Sequence, residues 1–257
     1  VPYNNTGTLV IPDGVQHIPS RVLYGMRYEK IVVPASVTRI SDRAFARALS
    51  KEIVFEEAPA GVEEKTLELT EGVFMDMSNL TELTLPARIG LLDFEGTNLV
   101  SSNRNLLKIN IVGRPTPEQK ANKEYYTSNN GVVCNYDGTE LVFVPKYIKG
   151  TYTIPAAIQV IGEKAFTGCW ELEGVVIKDN VKKIKSEAFS RCLALTSVEF
   201  DYNGGSLEIE SKAFYECTNL YSIELPKQLQ YLGSYAFGYT PKLTTVTING
   251  SSNAILE

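Results

Sequence analysis

T-I-P-A-A-I-Q-V-I-G-E-K-A-F-T-G-C-W-E-L runs from Thr153 to Leu172, and the same phrase then returns twice. From Val176 it reads V-I-K-D-N-V-K-K-I-K-S-E-A-F-S-R-C-L-A-L, and from Glu224 E-L-P-K-Q-L-Q-Y-L-G-S-Y-A-F-G-Y-T-P-K-L. Phe166 to Phe189 is 23 residues, Phe189 to Phe214 is 25, and Phe214 to Phe237 is 23. A fixed period of this length marks a solenoid, whose repeats bury their apolar faces only by stacking on one another. The two extra residues of the middle interval fall in the loop 201–205, where a coil tolerates a bulge.

Each repeat carries two β signals and a turn. The first signal is an alternating triplet: Val175-Val176-Ile177, Val198-Glu199-Phe200, Ile223-Glu224-Leu225 and Val246-Thr247-Ile248. Residues two apart share a face of a strand, so the flanking pair of each triplet points inward and the middle residue outward. The second is a V-x-x-I element, as in Ile158 to Ile161, Val181 to Ile184 and Leu229 to Leu232. A polar turn and an Ala-Phe pair complete the repeat, with Phe plugging the interior. Towards the N-terminus, 11–18 and 33–45 repeat the pattern, an acidic loop at 56–64 swells the next copy, and Leu99-Val100 replaces Ala-Phe after Leu83 to Pro86.

The period breaks between Gly113 and Gly150. Pro115 to Lys123 is polar, holds two prolines and reads as a surface loop. Val132 to Tyr136 and Thr139 to Val144 flank Asp137-Gly138, which predicts a β-hairpin with a type I′ turn. The expected organisation is one continuous solenoid: worn repeats over 1–112, a loop and hairpin insertion pairing at its side over 113–150, and regular repeats over 151–257.

The 257 residues carry 25 Lys and Arg against 30 Asp and Glu, a net charge of −5 that argues against nucleic acid as partner. No run of about 20 apolar residues is present, so no transmembrane segment is expected. The opening Val1-Pro2-Tyr3-Asn4-Asn5 shows neither a start methionine nor a signal peptide, and is read as part of a trimmed longer precursor. Cys169, Cys192 and Cys217 each follow a repeat phenylalanine by three, a slot that elsewhere holds Ala48, Met77 and Thr240. A slot of that kind is core filler, and free thiols are expected because stacked Cβ atoms about 4.8 Å apart exceed disulfide spacing.

The consensus I-P-x-x-V-x-x-I-x-x-x-A-F-x-x-C-x-x-L-x-x-V-x-I resembles the bacterial surface-antigen (BspA-type) leucine-rich repeat family, closely from Thr153 to Ile248 and recognisably from Leu9 to Ile53. G-V-V-C-N-Y-D-G-T-E-L-V-F-V-P, followed by G-T-Y-T-I-P, is similar to a segment found between that family's repeats. The resemblance implies a β-rich leucine-rich-repeat solenoid with a parallel sheet of about nine to ten rungs, a β-hairpin insertion and few helices. It also implies a secreted or cell-surface bacterial protein that adheres to host or bacterial surface proteins without catalysis or cofactors. A monomer is expected.

Chemistry-bearing patterns are scarce. His17 is the only histidine, in a slot shared with Arg39, Val160, Lys183 and Tyr231, which reads as solvated surface. No HExxH, GxSxG or phosphate loop is present, so the chain is read as no enzyme, with neither catalytic nor metal residues. The predicted binding face is the outward row of the main strands: Val32, Val54, Glu82, Thr84, Asn110, Val176, Glu199, Glu224 and Thr247. Solenoids reuse such an extended face for recognition. The alternative is a glycan-binding ridge of Tyr215, Tyr231, Tyr235 and Tyr239, with Tyr221 nearby; Tyr235 stands where other repeats have Lys164, Glu187 and Lys212. Trp170 is expected to cover the edge of the core.

Overall fold

The computed structural model describes residues 7–202, 205–250 and 255–256, so Asn203 and Gly204 of the expanded loop, like the first six residues, lie outside the described part. The chain packs as two units, residues 1–136 and 137–257. Along the first run β1 (Thr8–Val10), β2 (His17–Ile18), β3 (Lys30–Val33), β4 (Arg39–Ile40), β5 (Glu52–Phe55) and β6 (Glu68–Leu69). Then come β7 (Glu82–Pro86), β8 (Lys108–Val112), the helix α1 (Pro117–Asn122), β9 (Thr127–Asn129) and β10 (Val132–Cys134). The second unit begins with β11 (Glu140–Phe143), β12 (Gly150–Thr153), β13 (Val160–Ile161), β14 (Leu172–Lys178) and β15 (Lys183–Ile184). It continues with β16 (Ser197–Asp201), β17 (Leu207–Ile209), β18 (Ser222–Leu225), β19 (Leu229–Leu232), β20 (Thr245–Ile248) and β21 (Ile255–Leu256).

Each unit is a β-solenoid, with long strands on one side and two- to four-residue strands on another. In the first, Leu9 lies beside Ile31 and Ile31 beside Ile53 on the long side, while Ile18, Ile40 and Leu69 align on the short side, all in parallel. In the second, Val175 lies beside Val198 and Ile223 beside Val246 on the long side, while β11, β13, β15, β17, β19 and β21 follow one another in parallel. The inward members of the triplets Val175 to Ile177 and Ile223 to Leu225 are buried, as alternation requires. In β20, however, Val246 is 48% exposed.

A third ladder runs through the turns. The amide at the phenylalanine position donates to the carbonyl of the residue before that position in the next rung: Leu23 to Ala44, Phe45 to Val73 and Phe74 to Leu99 in the first unit, at 2.9–3.1 Å. Phe166 to Ala188, Phe189 to Ala213 and Phe214 to Ala236 repeat it in the second, at 2.7–2.8 Å. Leu99-Val100 thus fills the Ala-Phe place. The turns reach this geometry with two left-handed residues per rung, one two before and one two after the phenylalanine position. Arg43 and Arg47, Lys164 and Gly168, Glu187 and Arg191, and Lys212 and Glu216 are such pairs, with φ of 54–69°. Most are not glycine, although L-residues pay for this conformation with Cβ crowding.

The core is a file of rings. Phe45 stacks on Phe74 at 5.6 Å in the first unit; in the second, Phe166, Phe189, Phe214 and Phe237 stack in series at 4.6, 5.0 and 5.5 Å. Beside them Cys169, Cys192 and Cys217 are fully buried, and the Cys192 and Cys217 thiols donate to the carbonyls of Phe166 and Phe189 at 3.2 and 3.1 Å. Core filling is what they do.

Three expectations fail. Pro115 to Lys123 is not simply a loop: Pro117–Asn122 is helical, opened by a capping box in which the Thr116 hydroxyl accepts from the Gln119 amide and the Gln119 side chain accepts from the Thr116 amide. T-P-E-Q carries that signal, with proline at the first helical position. The type I′ geometry belongs to Asn130-Gly131, with φ of 51° and 82°, which joins the antiparallel β9 and β10; at Asp137-Gly138 only the glycine has positive φ. β11 does not stand aside, because it stacks in parallel on β13 as a rung, Leu141 beside Ile161. Trp170, expected at the edge of the core, is 43% exposed and meets Tyr147 edge-on at 5.6 Å.

Candidate binding surfaces

The outward row of the long strands forms where alternation places it. In the first unit Val32 lies beside Val54 and Thr84 beside Asn110, all half-buried. Glu82 belongs to the neighbouring row, opposite Lys108, although the Asn110 amide still donates to its carboxylate. Val54 and Thr84 are separated by a break, since β5 and β7 do not pair. The acidic loop intervenes there in sequence, and it is tied down by an ion pair that sequence reasoning missed. Arg88, 1% exposed, donates through Nη1 to the carbonyls of Val37 and Lys65, while its Nε lies 3.1 Å from Glu64 Oε2, a contact not aligned as a hydrogen bond. Glu64 in turn accepts from the Ala58 amide, folding its loop back on itself. Arg88 sits in the slot of Ser36, and only its size betrays the difference.

In the second unit Val176 lies beside Glu199, and Glu224 beside Thr247. β16 and β18 again do not pair, so the strand ladder opens between Glu199 and Glu224. The opening is a cleft of about 440 Å³, lined by Ser197, Glu199, Tyr202, Ser222, Glu224 and Gln228 among others. It sits in the repeat lengthened by two residues. Two Ser-x-Glu triplets thus flank one gap with exposed carboxylates, neither ion-paired among the described residues, whereas Lys178 and Asp201 at the strand ends pair at 2.6 Å. Strand edges without a partner leave amides and carbonyls available to a ligand.

The tyrosines divide. Tyr215 and Tyr239 meet edge-on with ring centroids 5.2 Å apart, and Tyr235 and Tyr239 are 67% and 70% exposed. Both of the latter occupy left-handed turn positions, with φ of 56° and 55°. Gly238 fits between them and Tyr215, where an added Cβ would stand 3.0 Å from the Tyr215 ring. Tyr231 lies instead on the short side opposite Glu208, and Tyr221 precedes β18 under Lys242. The predicted ridge is therefore three residues.

His17 is exposed and its Nε2 lies 2.8 Å from Ser41 Oγ. Among the described residues no three His, Cys, Asp or Glu side chains are placed to hold a metal, and no helix is long and apolar enough to cross a membrane. The short side of the second unit is occupied by ion pairs: Lys183 reaches Glu208 and Glu210 at 3.0 Å, and Lys185 reaches Glu140 at 2.7 Å across Gly162. A Cβ on Gly162 would lie 3.0 Å from that Glu140 oxygen and 2.6 Å from the Leu141 carbonyl. Burial pulls the Glu210 carboxyl upward, but hydrogen bonds from Lys183 and Ser186 outweigh it and hold the group below the usual range.

The model of the BspA type leucine rich repeat region matches the chain in six copies, over residues 3–113 and 146–257. No curated protein matches. Among solved structures, the pneumococcal vaccine antigen PcpA is similar over 94% of this chain at 20% identity, with a TM-score of 0.59. The match covers 62% of that antigen's chain. A leucine rich cell surface protein from Faecalibacterium prausnitzii matches over 95% of this chain and 88% of its own, at 18% identity and a TM-score of 0.46.

Proposed function

The chain belongs to the BspA-type leucine rich repeat family, and from that premise we propose that it is a non-enzymatic scaffold, secreted or held at the bacterial surface, that binds a protein through the outward face of its long strands. The observation that carries this reading is the cleft between β16 and β18, where unpaired strand edges and the free carboxylates of Glu199 and Glu224 stand on the face that alternation assigns to solvent. A partner offering lysine or arginine side chains meets complementary charge there, and interfaces take specificity from such complementarity. The test is binding of the purified chain, as a monomer, to an array of matrix proteins, mucins, bacterial surface proteins and glycans. Saturable capture of a protein that Glu199→Lys with Glu224→Lys abolishes supports the proposal; capture unchanged by that pair refutes the assignment of the face.

A second reading, a glycan-binding module, rests on Tyr215, Tyr235 and Tyr239. The rings of Tyr235 and Tyr239, exposed and in left-handed positions, suit stacking on a pyranose better than core packing, with Tyr215 beside them. Replacing Tyr235 and Tyr239 by Ser separates the readings, because glycan capture would vanish while protein capture through the strands survives.

A further inference from the structure

A groove of about 730 Å³ lies on the turn side of the first unit, away from the predicted site residues, and is lined by Arg21, Tyr24, Arg43, Arg47, Met75 and Asp76 with the small Ala46 beneath. Three arginines, Arg21, Arg43 and Arg47, line it against the single carboxylate of Asp76, whereas the nearby Lys30, Arg39 and Lys51 are paired with Glu52, Glu68 and Glu29.

The turn ladder explains why three guanidinium groups converge. Arg21 and Arg43 occupy the same slot of consecutive rungs, and Arg47 the slot four residues on; φ is 57°, 54° and 58°. Their amides are spent on the next rung, donating to the carbonyls of Asp42, Glu71 and Met75 at 2.9–3.2 Å, and their side chains are left to the surface. Neighbouring acids are already engaged: Asp42 accepts from the Thr70 hydroxyl at 2.6 Å, Glu71 from Arg43 Nη2 at 3.0 Å and Asp76 from Arg47 Nε at 3.3 Å. Each arginine pair is exposed and single-pronged, the kind that holds weakly, and a guanidinium has five N–H donors. The Arg21 side chain has no partner among the described residues. Arg47 also lies over the Tyr24 ring, its guanidinium carbon 5.7 Å from the ring centroid, and Tyr24 is 40% exposed.

We propose that this groove binds an acidic saccharide: a sulfate or carboxylate oxyanion taken by the free guanidinium edges of Arg21, Arg43 and Arg47, with a sugar ring laid against Tyr24. Guanidinium forks match such oxyanions in two-pronged geometry, and an aromatic face suits a pyranose. A nucleic-acid strand fits less well, because the groove offers cations for one or two oxyanions within a chain of negative net charge.

The full chain is titrated calorimetrically, in about 50 mM salt, with a heparin hexasaccharide, a hyaluronan fragment of equal length, inorganic sulfate and a short single-stranded oligonucleotide. Arg21→Gly with Arg47→Gly removes two guanidinium groups while leaving the left-handed backbone in the hands of the residue that adopts it most easily. Arg191→Gly, in the equivalent slot of the second unit, is the control. Expected are saturable saccharide binding that weakens with salt, a loss of about tenfold or more in the double variant without a lower melting temperature, and no loss in the control. Hyaluronan binding as tightly as heparin assigns the carboxylate as the recognised group; heparin alone assigns the sulfate. The proposal is overturned by no saccharide binding, by undiminished binding in the double variant, or by inorganic sulfate or the oligonucleotide binding more tightly than either saccharide.

Discussion

Phe189→Ala tests whether the ring file is a continuous structural element or a row of separate plugs. Phe189 is fully buried between Phe166, 4.6 Å away with planes 20° apart, and Phe214, 5.0 Å away with planes 2° apart. Truncation removes the transfer free energy of a benzyl group and leaves a cavity, together about 3–5 kcal/mol. Two ring contacts are lost at once, each contributing about 0.5–1.5 kcal/mol of that sum. Phe237 is the comparison: half-buried, with one ring neighbour among the described residues, Phe214 at 5.5 Å. Half the burial and one contact give roughly 1.5–2.5 kcal/mol for Phe237→Ala. Urea unfolding monitored by circular dichroism gives both values. Hydrogen exchange then shows whether protection falls locally in β15 and β17 or across the whole unit, since repeat arrays can lose a stretch of rungs. Equal costs for the two variants would refute the reasoning, because a row of separate plugs has no interior position.

Arg88→Met should cost about 3–5 kcal/mol, since it strands the Glu64 carboxylate and two carbonyls; adding Glu64→Gln should recover part of the loss, with faster proteolysis at 56–64 as a second readout. Glu210 has a depressed folded pKa, so its contribution is present above the unfolded value near 4.5 and is lost as pH falls through the lower, folded one. Glu210→Gln should therefore flatten the acid limb of a stability–pH curve and also weaken the loss at alkaline pH, because Glu210 is the main group that raises the Lys183 ammonium. Burial pushes the Cys134 thiol up to about 11 and raises Cys192 as well, and Cys169 and Cys217 are fully buried, so the native chain should resist iodoacetamide at pH 8 and react fully once unfolded.

The repeat period and the alternating triplets made the two strand sides, the ring file and the outward row legible, because all depend on spacing alone. What escaped depends on interactions between residues that no local pattern links. Arg88 reads as an ordinary surface charge in a Pro-x-x-Ile phrase until the loop bearing Glu64 folds beneath it. The cleft at Glu199 and Glu224 needed the two-residue expansion to be translated into an unpaired ladder, and the arginine groove needed the handedness of the turns. Thr116 to Gln119 and Asn130-Gly131 are readable signals, a capping box and a hairpin turn, masked by the prolines and the Asp137-Gly138 pair beside them. Tyr231 stands close to Tyr235 and Tyr239 in sequence, yet the turn between them changes side.

The left-handed positions divide labour between main chain and side chain in a way that bears on how such arrays diversify. Among the described residues sixteen of them flank eight turns, and thirteen hold something other than glycine: Arg, Lys, Glu, Asp, Asn, Ser or Tyr. In every rung but the last of each unit, the amide of the residue bonds the following turn whatever the side chain is. Identity at these sites is thus decoupled from architecture. A mutation there edits the surface without editing the fold, and duplication of a repeat copies two such editable letters along with the scaffold that carries them. An arginine patch in one unit and a tyrosine cluster in the other are two sentences written in the same alphabet, and a library randomised at these positions alone should yield folded proteins with new specificities.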